Sequence, residues 1–296
     1  MKLTVLGSSC MFPTKDRSQP AFLLFHEGLY FLFDAGEGVQ RQLRIAGISP
    51  MSVDHVFISH WHGDHSLGVA GMIQNMVGNR RTKPFHIHGP RGTRERVKHI
   101  IETYDFKKGF DIKAHDLDVS KPVLKVEDLT VTAINVKHPK CVAFCVKEAD
   151  KRRINLDYTK KFGLTKHPLL GKLQQGEDIV YKGKKITVAK GTYLKPGKKF
   201  VYITDTGYVS RLVEFAEVAD LLVCESTYTS ELEDRAEEFN HLTAEQAAMI
   251  ARDAGVKQLV LTHFSQRYAS VKKFVAEAKK HFKNVVAAED FMEITF

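Results

Sequence analysis

The chain has one tryptophan, four cysteines and no apolar stretch approaching the roughly 18–20 residues of a membrane span. The last two shortages each narrow the class of protein. Without a spanning run, a helical membrane protein is excluded. The cysteines, Cys10, Cys141, Cys145 and Cys224, include no Cys-x-x-Cys pair and read as buried free thiols in a reducing compartment. The opening residues, Met1 to Gly7, read as a strand and a turn glycine. They are too short for the apolar core of a signal peptide, about 7–15 residues. The expected location is therefore cytoplasmic, with no membrane partner. There is no internal repeat and no low-complexity tract.

Acidic residues are also in deficit. The chain carries 44 Lys and Arg against 35 Asp and Glu, a net charge of +9 with a pI near 9.2. The excess is local. Lys147 to Lys199 holds 15 basic and 5 acidic residues, a net of +10, so the rest is about neutral. Glycines at 163, 171, 176, 183, 191 and 197 interrupt this segment. A basic surface so concentrated fits contact with a phosphate backbone. At 296 residues and 43% hydrophobic content, the remainder can bury a sizeable core.

What is present in strength is the run Ser59-His60-Trp61-His62-Gly63-Asp64-His65. Four metal-ligating side chains lie within six residues, and imidazole with carboxylate suits zinc or a similar divalent ion. One ion rarely takes four ligands from so short a segment, so the alternation predicts two ions. Two metals about 3.5–4 Å apart form a hydrolytic site, often for phosphate esters. Val56-Phe57-Ile58 before the run reads as a buried strand, within a longer strand over 53–59, and a helix over about 67–77 follows. Gly63 is expected to let the backbone turn between ligands. Trp61 lines the site or only packs.

Other strands are predicted at 3–6, 21–25, 29–33, 84–89, 110–117, 124–126, 130–136, 142–147, 200–204, 221–224, 258–262 and 285–288. Helices are predicted at 39–44, 93–104, 243–254 and 270–281. The strand runs look antiparallel in each half, with helices interspersed. That pattern predicts two sheets packed face to face with helices outside.

One segment cannot complete two metal shells. His138, Asp205 and His263 each stand just past a predicted buried strand, as His60 does, and are the candidate completing ligands. His241 precedes a helix whose plausible cap is Thr243. His86 and His88 alternate with Phe85 and Ile87 and read as sheet residues. His26, His55, His99, His115, His167 and His281 have no supporting context.

Together these residues resemble the metallo-β-lactamase superfamily and, within it, the short form of tRNase Z, from Gly7 to about Tyr268. The His60–His65 run carries the superfamily. Phe33-Asp34-Ala35-Gly36-Glu37-Gly38 and its continuation to Leu43, Pro13 to Arg17, Cys224-Glu225-Ser226-Thr227-Tyr228, His241-Leu242-Thr243 and Thr262 to Tyr268 carry the narrower likeness. The basic segment is similar to that family's tRNA-gripping arm, with Leu169 to Glu177 matching a stretch in it. His167-Pro168 departs from the arm's usual Gly-Pro, and Ala35 from a common cysteine.

The resemblance implies an α/β fold, the αβ/βα sandwich, as one domain over 1–296 with an inserted basic arm at 148–199. It implies a zinc held by His60, His62, His138 and Asp205, and a second held by Asp64, His65, Asp205 and His263. A carboxylate has two oxygens, so Asp205 can bridge. It further implies hydroxide attack on a precursor-tRNA phosphodiester, with Asp64 orienting the attacking group and taking its proton. His241 would protonate the leaving oxygen with Glu225 as partner, Arg267 would neutralise a phosphate oxygen, and the chain would be a homodimer. Two alternatives remain open: a hydrolase of a small phosphodiester or thioester on the same fold, and a catalytically silent tRNA-binding protein. A β-CASP-type ribonuclease needs an inserted domain for which this length leaves no room.

Overall fold

The structure, a computed structural model, describes residues 1–104 and 109–296. Two seven-stranded sheets form the body. In spatial order the first contains Glu293–Thr295, Lys2–Gly7, Ala21–His26, Leu29–Phe33, His55–Phe57, Phe85–Gly89 and Ile112–Asp116. The second contains Val285–Ala287, Leu259–Thr262, Leu221–Glu225, Lys199–Ile203, Val142–Glu148, Leu129–Asn135 and Leu124–Val126.

Aromatic residues join the inner faces. Phe33 meets Phe144 and Phe200 at ring-centre distances of 5.8 and 5.4 Å, and Phe22 meets Tyr202 at 5.3 Å. On the outer face of the first sheet, Leu23, Leu32, Val56 and Ile58 bury against Val39, Leu43, Val69, Met72 and Ile73 of two helices, Val39–Ile45 and Gly68–Gly78. Alternate residues of one strand thus serve two interfaces, which is why these strands read as continuous apolar runs. Ala244–Asp253, opened by a capping box between Thr243 and Gln246, covers the second sheet. This is the two-layered α/β sandwich predicted.

The antiparallel look of the strand runs holds for Lys2–Gly7, Ala21–His26 and Leu29–Phe33 and is corrected for the strands that follow. Leu29–Phe33, His55–Phe57, Phe85–Gly89 and Ile112–Asp116 are parallel neighbours, as are Lys199–Ile203, Leu221–Glu225, Leu259–Thr262 and Val285–Ala287. Helices between them act as crossovers and return the chain in the same direction. The predicted strand over 53–59 is only His55–Phe57, because the Ser59 amide donates to Asp34 Oδ1 instead of to a neighbouring strand. Short helices at Arg211–Ala216 and Glu233–Phe239 and the strand Glu293–Thr295 had no predicted counterpart.

A second compact unit comprises Glu127–Leu129 and Lys147–Lys198. Its core is small: Leu164, Leu173, Ile179 and Ile186, with half-buried Ile154, Tyr158 and Phe162 against them. Lys151–Ile154 pairs with Thr192–Lys195 and Ile179–Tyr181 with Lys184–Ile186. At the departure from Gly-Pro, the Leu169 amide donates to His167 Nδ1 at 3.2 Å and Pro168 caps Leu169–Gln175. His167 is not among the residues with positive φ, so this turn does not require glycine.

Candidate metal centre

The parallel strands end at one level, Ile203 opposite Cys224 and Glu225 opposite Thr262. Just beyond those ends stand Asp205 and His263, with Glu225 itself the last residue of its strand. His138 follows Leu129–Asn135 from the same sheet. From the first sheet, His60 follows His55–Phe57, and Asp64 and His65 lie on a single helical turn, Gly63–Ser66, for which His62 is the N-cap. Gly63 opens that turn without entering the left-handed region, so its expected role as a tight-turn glycine is corrected.

The seven ligand candidates form two groups. In one, a ligand atom from each of His60, His62, His138 and Asp205 lies within 4.8 Å of the others; in the second, Asp64, His65 and His263 do the same. Asp205 lies between the groups. Its Oδ2 is 3.6 Å from His60 Nε2, while Oδ1 is 3.3 Å from His65 Nε2 and 3.1 Å from His263 Nε2. His65 Nε2 and His263 Nε2 face each other at 3.3 Å. Ligand atoms about 2.0–2.1 Å from a tetrahedral ion stand roughly 3.3 Å apart, so this spacing fits a shared ion. Among the described residues, buried His60 Nε2 and both ring nitrogens of His138 have no hydrogen-bond partner, which fits the same requirement.

A second layer orients these rings. Asp34 is fully buried and accepts from Ser59 N (2.7 Å), Ser59 Oγ (2.8 Å), His65 Nδ1 (2.7 Å) and Tyr202 OH (2.7 Å). Ser59 Oγ, having donated to Asp34, accepts from His60 Nδ1 at 3.1 Å. Thr227 Oγ1 donates to Glu225 Oε2 at 2.6 Å and accepts from His263 Nδ1 at 2.9 Å. Each Nδ1 proton is thus engaged from behind, which leaves the Nε2 lone pairs of His60, His65 and His263 facing inward. The Met11 amide donates to Asp64 Oδ2 at 2.8 Å. Asp34 and His263 both adopt left-handed backbone conformations, with φ of 57° and 62°, an uncommon state for residues other than glycine.

His241 also brings a ring nitrogen within 4.8 Å of ligand atoms of Asp205 and His263, and is distinguished from the two groups by its partner. Its Nδ1 donates to Glu225 Oε1 at 2.9 Å, and Glu225 also accepts from the Thr206 amide at 2.7 Å. Burial alone would lower the His241 pKa, but the Glu225 carboxylate outweighs it and holds the imidazole above its ordinary value. Burial likewise opposes the charge on Glu225, and His241 more than compensates, keeping the carboxyl below its usual range. An open cleft of about 330 Å³ is lined by His62, Asp64, His138, Asp205, His241, His263 and Arg267. Arg267 Nε donates to Ser265 Oγ at 3.1 Å, and its guanidinium carbon lies 5.5 Å from the Tyr228 ring centre. Trp61 is half-buried, packs on the first sheet's outer cluster and donates to Thr93 Oγ1 at 2.8 Å. It also lines a separate basic pocket with His60, His62, Arg91, Arg96 and Lys140.

The orienting residues Asp34, Thr227 and Tyr202 are absent from the sequence-based site. Asp34 carries a signal that was available: it is a carboxylate directly after a buried strand, as the ligands are. Thr227 and Tyr202 carry none.

A family model described as a beta-lactamase superfamily domain matches residues 165–264, and one described as anti-Pycsar protein Apyc1 matches residues 1–141. Ribonuclease Z of Archaeoglobus fulgidus is 38% identical over 304 aligned positions, covering 100% of this chain and 98% of that protein. Ribonuclease Z of Methanothermobacter thermautotrophicus is 38% identical over 297, covering 99% and 96%. Among solved structures, the short form of human tRNase Z superposes with a TM-score of 0.74 at 26% identity, covering 100% of this chain and 99% of that one.

Proposed function

We propose, since this chain belongs to the ribonuclease Z family of the metallo-β-lactamase fold, that it is an endoribonuclease removing the 3′ trailer from precursor tRNA. The observation that carries this reading is the pair of ligand groups sharing Asp205 at the floor of an open cleft, with His241 and its buried carboxylate on the wall. His60, His62, His138 and Asp205 would hold one zinc, and Asp64, His65, Asp205 and His263 the other. Such a pair supplies a water of lowered pKa and positive charge beside the scissile phosphate.

The chain's own groups do the remaining work. Asp64, held by the Met11 amide, aligns the attacking water and takes its proton. His241 carries a proton toward the leaving oxygen on Nε2, because Nδ1 is engaged by Glu225. Glu225 positions that ring and favours its charged form. Arg267, at the cleft edge, neutralises a phosphate oxygen. The basic unit, from Lys147 to Lys198, holds the tRNA through its backbone. Among the described residues, no helix is long and apolar enough to cross a membrane. The reading includes a homodimer acting in the cytoplasm.

The test is incubation of the metal-loaded protein with a 3′-extended precursor tRNA and mapping of the product ends. A single cut releasing the trailer is expected. Salt-sensitive tRNA binding without cleavage would replace the enzyme with a silent tRNA-binding protein. Turnover of small phosphodiesters alone would replace the substrate.

A further inference from the structure

Four histidines outside the catalytic groups form a second cluster. His55, His86, His88 and His115 come from three adjacent parallel strands of the first sheet. Register brings them together: His55 pairs with His86 and His88 with His115. His86 and His88 are two apart, so they share one face of the sheet. That face is the inner one. His88 stacks on Phe57 at 4.8 Å, and Phe57 packs against Phe144 of the second sheet at 5.6 Å. His88 is buried, while His55, His86 and His115 are half-buried, so the row runs from the core to the protein's edge.

The rings are close enough to act together. His55 Nδ1 and His88 Nε2 are 3.1 Å apart, as are His86 Nδ1 and His115 Nε2. A ligand atom from each of His55, His86 and His88 lies within 4.8 Å of the other two. No carboxylate makes an ion pair with any of the four among the described residues; the nearby Asp54 is paired with Arg81. Burial and mutual repulsion hold His88 at about 2 and His55 at about 4, so both rings are neutral, with lone pairs available, at physiological pH. Nothing in the proposed phosphodiester chemistry uses these rings.

We propose that His55, His86 and His88, with His115 beside them, form a separate binding site for a single transition-metal ion. The donor set is all imidazole nitrogen, which selects Cu2+, Ni2+ or Zn2+ over Mg2+ or Ca2+. The 3.1 Å separation of His55 Nδ1 and His88 Nε2 is near the roughly 3.3 Å separation of ligands on one tetrahedral ion. On binding, metal–nitrogen bonds replace the hydrogen bonds between rings. Each neutral ring keeps its single proton on the nitrogen turned away from the ion, so the step needs a tautomer exchange and no net proton release.

The experiment uses the full-length protein with its catalytic metals loaded. Cu2+ is added to the wild type and to His55→Phe and His86→Gln variants. Metal per chain, the electron paramagnetic resonance spectrum and precursor-tRNA cleavage are then measured on each preparation. The wild type is expected to take up one further ion with nitrogen hyperfine structure. Both variants are expected to lose that ion and signal while cutting at the wild-type rate. His86 is half-buried, so its glutamine variant keeps the test open if His55→Phe folds poorly. No additional ion, the same ion retained in both variants, or a signal dominated by oxygen ligands would each overturn the proposal. Loss of cleavage together with the ion would place the copper in the catalytic centre and overturn it as well.

Discussion

Asp34→Asn tests how far the site depends on a residue that touches no substrate. The substitution conserves shape but replaces one acceptor oxygen with an NH2 group. Asp34 faces only donors: Ser59 N and Oγ, His65 Nδ1 and Tyr202 OH. In the better amide orientation the oxygen keeps three of them, and the new NH2 meets the Ser59 amide head-on. Leaving buried donors unsatisfied costs about 1–3 kcal/mol, and the retained bonds lose their charge assistance at roughly 1 kcal/mol each. The expected loss of folding stability is therefore about 4–6 kcal/mol, read by urea unfolding of the chelator-treated protein. His65 also loses the acceptor that fixes its Nδ1 proton, so zinc affinity should fall about 10–100-fold in a competition titration. A variant within roughly 1 kcal/mol of wild type that binds zinc normally would refute the orienting role.

His241→Ala should retain metal content and tRNA affinity while single-turnover cleavage falls about 10²–10⁴-fold; loss of zinc would instead put His241 in the coordination shell. Asp205→Ala should lose both ions together by metal analysis, since each oxygen faces one ligand group. Deleting Arg152 to Lys190 should abolish precursor-tRNA cleavage but spare hydrolysis of bis-p-nitrophenyl phosphate, and unchanged tRNA turnover would discount the basic unit. His55 and His88, depressed to about 4 and about 2, must stay neutral in the fold while the unfolded chain protonates near 6.5. Their contribution is therefore complete above that unfolded value and is lost as pH falls below it, by roughly 2 kcal/mol each down to about pH 5. In chelated protein the urea midpoint should drop over that window, and the drop should shrink in a His55→Phe, His88→Phe double variant.

The ligand run was legible because its chemistry is local: His60 to His65 lie within six residues, and the adjoining apolar stretch marks a strand end. That His138, Asp205 and His263 would meet the run was legible through the same strand-end rule. Strand direction was not, because it depends on where each crossover helix lies in space. Asp34 was hidden within Asp34-Ala35-Gly36-Glu37-Gly38, which reads as a turn, whereas its function comes from contacts with Ser59, His65 and Tyr202. His55, His86, His88 and His115 are unremarkable on three separate strands; only lateral register makes them a row. The helices Arg211–Ala216 and Glu233–Phe239 are too short for helical periodicity to establish itself.

The two layers of the sandwich contribute candidate ligands to the same centre: His60, Asp64 and His65 come from one, and His138, Asp205 and His263 from the other. An ion held there is a rivet through both layers, and no binding site exists until they have docked. Folding and metal supply then become linked variables. Each ion at a thousandfold excess over its dissociation constant adds about 4 kcal/mol to the native state. With such an ion scarce, a larger fraction of the chain would be unfolded and open to proteolysis, so its abundance would track the metal available when it folded.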